Sequence, residues 1–244
     1  PYTEPKAYRG LWAGEPPAGL SAGATRRPIL KAYRKDKEAV RDWVVGRYDQ
    51  NMRYLDDVLS ELFDDVGSSS PVLIFSDHGE EFWDHQEFEH GHSLYDELLR
   101  VPFVVKAPDL PAGSVDAPVS LLDVTPTCLA LAGLPLPALE GVNLLPAIRG
   151  DSGATSLLEK RLQGFGRPLY GQERWGVLDG DTKWTSHQGR EEVYDIAADP
   201  KETKDLSASS DLAQRREAFE KSLDREGGLV WRLAAGSALG GQRK

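Results

Sequence analysis

The sequence predicts an α/β fold, and three observations carry that expectation. Apolar residues at Val40, Trp43, Val44, Tyr48, Met52, Leu55, Leu59 and Leu62 recur at spacings of three and four, as on a helix with one buried face. Two short apolar runs follow, Pro71-Val72-Leu73-Ile74-Phe75 and the second half of Leu98-Leu99-Arg100-Val101-Pro102-Phe103-Val104-Val105, and each reads as a strand buried on both faces. A second helical stretch opens at Ser120 and runs to Ala132. Helix, strand, loop, strand, helix is the alternation of an α/β layer.

Residues 1–30 are rich in Pro, Gly and Ala and read as an extended surface segment. Asp36 is placed to cap the first helix, and Gly67-Ser68-Ser69-Ser70 to end it. Trp43 and Met52 on its stripe are expected to pack the core. Pro102 stands near the start of the second strand, where proline is tolerated. Residues 108–118 read as a loop. Pro126 in a first turn and Gly133 just past the end frame the second helix, and Cys128 on that apolar helix is expected in the core.

From about Arg149 the composition changes. Residues 170–178, 182–186 and 192–196 read as short strands, separated by Asp179-Gly180-Asp181 and Gln188-Gly189, which predicts an antiparallel meander. A polar helix over roughly 210–225 and a frayed tail complete the chain. Two domains are therefore expected, 1–150 and 151–244.

Bulk properties exclude several function classes. The 244 residues carry a formal net charge of −10, against the basic patches that nucleic acid or an anionic membrane surface needs. No apolar run approaches the roughly 20 residues of a membrane span. The single cysteine excludes an intrachain disulfide. The chain opens at Pro1-Tyr2-Thr3 with neither methionine nor a signal-peptide pattern, so the expectation is a segment that starts inside a domain.

Chemistry concentrates after the first strand. Ser76-Asp77-His78-Gly79-Glu80 follows it directly, and four of the five histidines (His78, His85, His90 and His92) lie within positions 78–92. Ligands of open α/β sheets sit beyond the carboxyl ends of strands. An adjacent Asp-His pair there offers a carboxylate oxygen and an imidazole nitrogen to one divalent cation. Alone, such a pair is as readily a helix cap; the histidines and the nearby acids Glu80, Glu81, Asp84, Glu87 and Glu89 favour the site.

The wider text, Val72 to Glu80 and then His90-Gly91-His92-Ser93-Leu94-Tyr95-Asp96-Glu97-Leu98-Leu99-Arg100-Val101-Pro102, resembles the sulfatase family of the alkaline phosphatase superfamily. Further blocks match in the family's order: Tyr48 to Asp57, Leu122 to Thr127, Glu140 to Pro146, and Glu192 to Glu202. The opening Pro1-Tyr2-Thr3-Glu4-Pro5 is similar to the segment after a substrate-contacting His. The resemblance covers roughly 1–207. It implies the C-terminal part of an alkaline-phosphatase-like three-layer α/β/α sandwich, followed by a small C-terminal antiparallel-sheet subdomain with a helix.

By that resemblance Asp77 and His78 are ligands of a single divalent cation. Many relatives have Asn where His78 stands. Calcium is the usual family ion, but a nitrogen donor suits manganese or zinc better than oxygen-seeking calcium. The family's lysine after the pair is absent here, and His90 or His92 takes its role as anion contact or general acid. His85 is expected beside the site or on the surface, and His187 in solvent. Trp175, Trp184 and His187 stand where the family's small subdomain walls the pocket, although tryptophans in a small sheet more often pack its core.

The family's nucleophile is a formylglycine made from the Cys or Ser of Cys/Ser-x-Pro-x-Arg, with an aspartate pair upstream. Neither pattern occurs in these residues. The expectation is thus a sulfatase acting on a sulfated small molecule or glycan, periplasmic or secreted by family habit, whose isolated 244 residues are inactive. A phosphodiesterase or phosphonate monoester hydrolase of the same superfamily is one alternative, and a truncated, non-catalytic scaffold is the other.

Overall fold

The computed structural model describes residues 2–3, 5–167 and 174–223. In chain order these form α1 (Arg26–Tyr33), α2 (Lys37–Val66), β1 (Val72–Phe75), β2 (Glu81–Phe82), β3 (Phe88–Glu89), α3 (Asp96–Leu99) and β4 (Phe103–Lys106). Then come α4 (Val124–Leu131), α5 (Leu145–Ile148), α6 (Ser152–Glu159), β5 (Gln163–Arg167), β6 (Arg174–Asp179), β7 (Thr182–His187), β8 (Arg190–Asp195) and α7 (Leu212–Leu223). The fold is α/β, with helices and antiparallel sheets mixed along the chain. The chain forms two compact units, one of residues 1–70 and 80–89, the other of residues 71–79 and 90–244.

In the first unit, Asp36 caps α2 by accepting the Ala39 N–H at 3.1 Å, and Gly67 ends it at φ 79°, a conformation glycine adopts without a Cβ penalty. Val40, Trp43 and Val44 bury against Ile29 and Ala32 of α1 and against Trp83 and Phe88. The stripe then leaves the core: Met52 is 45% exposed, with Leu55, Val58 and Leu62 similarly bare. The periodicity is right, but the expectation of a packed Met52 is corrected: among the described residues of the unit the apolar core does not extend to that stripe, and Tyr8 meets the helix at Tyr54 and Asp57 instead.

The N-terminal segment is more ordered than its composition suggests. Its last residues already belong to α1, and the buried Gln50 side chain accepts the N–H groups of Trp12 (3.1 Å) and Ala13 (3.0 Å). A Cβ on Gly46 would lie 2.7 Å from Ala13 Cα, so glycine lets the segment lie against the helix.

In the second unit, β1 pairs antiparallel with β4, Val72 opposite Lys106 and Phe75 opposite Phe103. Among the described residues this is a two-stranded ribbon with Phe75 45% and Val104 51% exposed. The expected burial on both faces is not reached, since one neighbour covers neither face of a strand. Ser120 and Asp123 form a reciprocal capping box ahead of α4. Cys128 is exposed, which corrects its core placement. The core here is instead Ala117, Leu144, Ala147 and Leu158.

The meander is a four-stranded antiparallel sheet ordered β5-β6-β7-β8. It has one strand more than predicted, because Gln163-Gly164-Phe165-Gly166-Arg167 has little apolar alternation. Gln188 and Gly189 both take positive φ, as a two-residue hairpin loop of matching twist requires. Trp175, Val177, Trp184 and Val193 pack against Ala218 and Phe219 of α7. Both tryptophans are thus sheet core, and His187 is half-buried. The predicted strand residues 170–173, the last turn of the 210–225 helix and the tail lie outside the described residues.

Candidate metal and anion site

β1 ends at Phe75, and the chain turns at once through Ser76 to Gly79. Ser76 Oγ donates to the His78 carbonyl at 2.6 Å, and the His78 N–H donates to Asp77 Oδ1 at 3.1 Å. The Gly79 N–H donates to the Leu98 carbonyl at 2.9 Å. A Cβ on Gly79 would stand 2.0 Å from the Glu97 carbonyl oxygen, so only glycine lets this turn lie on α3.

His78 Nδ1 lies 2.7 Å from the Gly79 carbonyl oxygen. A carbonyl only accepts, so Nδ1 carries a proton and Nε2 is the ring nitrogen left to meet a cation. That nitrogen is 3.8 Å from Asp77 Oδ1. Two ligand bonds of about 2.1 Å span up to roughly 4.2 Å, so both atoms reach one cation, and a backbone partner on the far ring nitrogen is the usual support of a metal-bound histidine. Both side chains are open to solvent, Asp77 85% and His78 44% exposed. The donor set, one carboxylate oxygen and one imidazole nitrogen, fits a divalent cation; among the described residues no third His, Cys, Asp or Glu joins it.

His90 comes to the same place. Its ring lies 4.1 Å from that of His78, centroid to centroid, with the planes 31° apart. His92, two residues on, is partly buried. His85 belongs to the first unit, as do Glu80, Glu81, Asp84, Glu87 and Glu89. There the buried Glu81 carboxylate accepts the N–H groups of His85 (3.0 Å) and Glu87 (2.8 Å). It secures a hairpin in which Trp83, Gln86 and Glu89 all take positive φ, each disfavoured for a residue with a Cβ.

Sequence reasoning missed the polar cluster under α3. Lys183 of β7, buried in the small sheet, places Nζ 2.7 Å from Asp96 Oδ1 and 2.7 Å from Glu202 Oε1. Glu202 Oε2 accepts the Asp96 N–H at 2.6 Å. Burial pushes the Glu202 carboxyl above the usual carboxylate range despite the Lys183 ammonium, which pulls it down. The available signals were a lone lysine beside Trp184 in an otherwise core-facing strand, and an acid in the Asp199-Pro200-Lys201-Glu202 block.

Comparison with known proteins points to sulfatases. The Sulfatase family model matches residues 24–134. Delta 4,5-hexuronate-2-O-sulfatase of Bacteroides thetaiotaomicron is 26% identical over 88% of this chain and 48% of its own length. Choline-sulfatase of Rhizobium meliloti is 30% identical over 66% of the chain and 32% of its own length. A solved 2-O GAG sulfatase superposes with a TM-score of 0.68 at 25% identity, over 91% of this chain and 52% of that one. The fold is that of the alkaline phosphatase superfamily. Within it, residues 24–134 of this chain match the sulfatase family. It spans about half, or less, of the length of the curated relatives it matches.

Proposed function

We propose that the protein carrying this chain hydrolyses sulfate monoesters with a divalent cation held in part by Asp77 and His78. The observation behind this reading is the 3.8 Å separation of His78 Nε2 and Asp77 Oδ1, with the imidazole proton fixed on the opposite nitrogen by Gly79. The match to sulfatases supports it: relatives at 26% and 30% identity are a hexuronate and a choline sulfatase. When bound, the cation supplies positive charge for the sulfuryl oxygens. Asp77 and His78 would hold it, and the Gly79 carbonyl, accepting from Nδ1, leaves Nε2 as the ring nitrogen available to the cation. His90, whose ring lies against that of His78, and His92 are the two histidines proposed to contact the anion and to give a proton to the leaving oxygen.

The proposed substrate is a sulfated small molecule or glycan, and the proposed location is periplasmic or extracellular. No helix among the described residues is long and apolar enough to cross a membrane. Residues 1–150 are assigned to the hydrolase domain and 151–244 to the subdomain beside it. These 244 residues alone contain no formylglycine motif and are expected not to turn over esters. Calcium is the proposed ion, with manganese or zinc as the alternatives.

A phosphodiesterase or phosphonate monoesterase is the second reading, favoured by a nitrogen ligand at His78 and by histidines where the family carries lysine. The full-length protein, co-expressed with a formylglycine-generating enzyme, separates the two. Faster turnover of 4-nitrophenyl sulfate than of bis-4-nitrophenyl phosphate supports the sulfatase; the reverse order assigns the diester chemistry.

A further inference from the structure

We propose that Lys183, with Asp96 and Glu202, positions the Asp77-His78 turn. The inference rests on the reading of Asp77 and His78 as cation ligands. Lys183 is 2% and Glu202 1% exposed by side chain, and both reach Asp96 at the start of α3. Two interactions thus fix the first turn of a four-residue helix that is too short to hold itself, and the Lys183–Glu202 pair ties the two partners to each other. The last turn of that helix carries the Leu98 carbonyl that accepts the Gly79 N–H, and the Glu97 carbonyl against which Gly79 lies. Gly79 in turn presents the carbonyl that orients the His78 ring. Every link is a hydrogen bond, an ion pair or a direct backbone contact within the second unit.

Stability alone is a weak reason for such a cluster. A buried ion pair gains little over well-packed apolar side chains of the same volume, and its best-attested use is to fix register. Glu202 agrees: burial raises its carboxyl more than Lys183 lowers it. A lysine in the core of the small sheet, bonded to the start of the helix beneath the site turn, has the placement of a register pin. It makes the orientation of His78 depend on the meander, far away in sequence.

The test uses the 244-residue chain with isotope-labelled histidines, the His78 and His90 imidazole signals being assigned from His78→Ala and His90→Ala. Spectra without metal are compared for wild type, Lys183→Met and Lys183→Arg, and Mn2+ is then titrated while broadening at His78 is followed. In Lys183→Met the His78 signal is expected to move toward its position in His90→Ala, with apparent Mn2+ affinity falling about tenfold, as for loss of an outer support of a metal ligand. Lys183→Arg is expected to restore most of both. A folded Lys183→Met chain with unmoved His78 and His90 signals and Mn2+ affinity within about twofold of wild type would overturn the proposal. If Lys183→Met does not fold, Asp96→Asn, which keeps shape and drops the charge, is judged by the same two readouts. Absence of Mn2+ broadening at His78 in wild type removes the cation reading instead, and the metal-free signals then decide the positioning claim alone.

Discussion

His90 stacks on His78, ring centroids 4.1 Å apart and planes 31° from parallel. The contact sets a second imidazole ring beside the proposed ligand His78. If His90 protonates the leaving oxygen, His90→Gln lowers kcat by about 10²-fold or more. The loss is then greater for phenyl sulfate than for 4-nitrophenyl sulfate, whose phenolate leaves readily without a proton. Steady-state kinetics on both esters check this. A larger and leaving-group-dependent loss in His92→Gln would assign the role to His92.

Gly79→Ala puts a methyl group 2.0 Å from the Glu97 carbonyl oxygen, and no flexible side chain stands there to give way. Overpacking of this kind costs about 1–3 kcal/mol, or a Tm lower by roughly 2–4 °C per kcal/mol in a chain of this size. Thermal denaturation reads the shift. Gly113→Ala, where a Cβ meets nothing within 4 Å, serves as the control and is expected to leave Tm nearly unchanged.

Asp123 is fully buried and takes four hydrogen bonds, from the Ser120 and Val142 N–H groups and from both Arg161 amino groups. Arg161→Met leaves the carboxylate buried with its two backbone donors but without its countercharge. The expected cost is about 3 kcal/mol, the low end for a broken buried pair because those donors remain. Urea denaturation of Arg161→Met and of Asp123→Asn/Arg161→Met measures it, and the double variant is expected to recover part of the loss.

Asp205 supplies a pH signature. Burial pushes its carboxyl up, but the Ser207 and Val193 N–H groups and the Ser207 hydroxyl outweigh this and hold it below the usual carboxylate range. With the folded value below the unfolded one, its stabilisation is complete above about pH 4 and is lost as pH falls through the folded value. The Tm advantage of wild type over Asp205→Asn is therefore expected to be full at neutral pH and to vanish at the acid end. Thermal denaturation across that range checks the sign; an advantage that grows on acidification contradicts it.

Much of the architecture is legible in the sequence because it is written in local chemistry. The Asp36 cap, the Gly67 stop, the Gln188-Gly189 turn and the Trp175 and Trp184 alternation each act within a few residues. What was not legible depends on who the neighbours are. Met52 and Cys128 carry the right periodicity, yet both are exposed, since a stripe states which residues share a face and not what covers it. That Asp77 and His78 stand just past a strand end could be read from the apolar run before them. Which loop histidine lies against His78 could not, because the side chains of a loop obey no period. Lys183 and Glu202 each meet Asp96 across more than 80 residues of sequence, beyond the reach of any local pattern.

The central claim is that Asp77 and His78 share a divalent cation. The measurement that tests it most directly is calorimetric titration of Ca2+ and Mn2+ into the full-length protein, stripped of metal, against its Asp77→Ala and His78→Ala variants. The account predicts one site in the wild type, weakened at least about tenfold by either substitution, with His78→Ala costing Mn2+ binding more than Ca2+ binding. Equal affinity in all three proteins would contradict it.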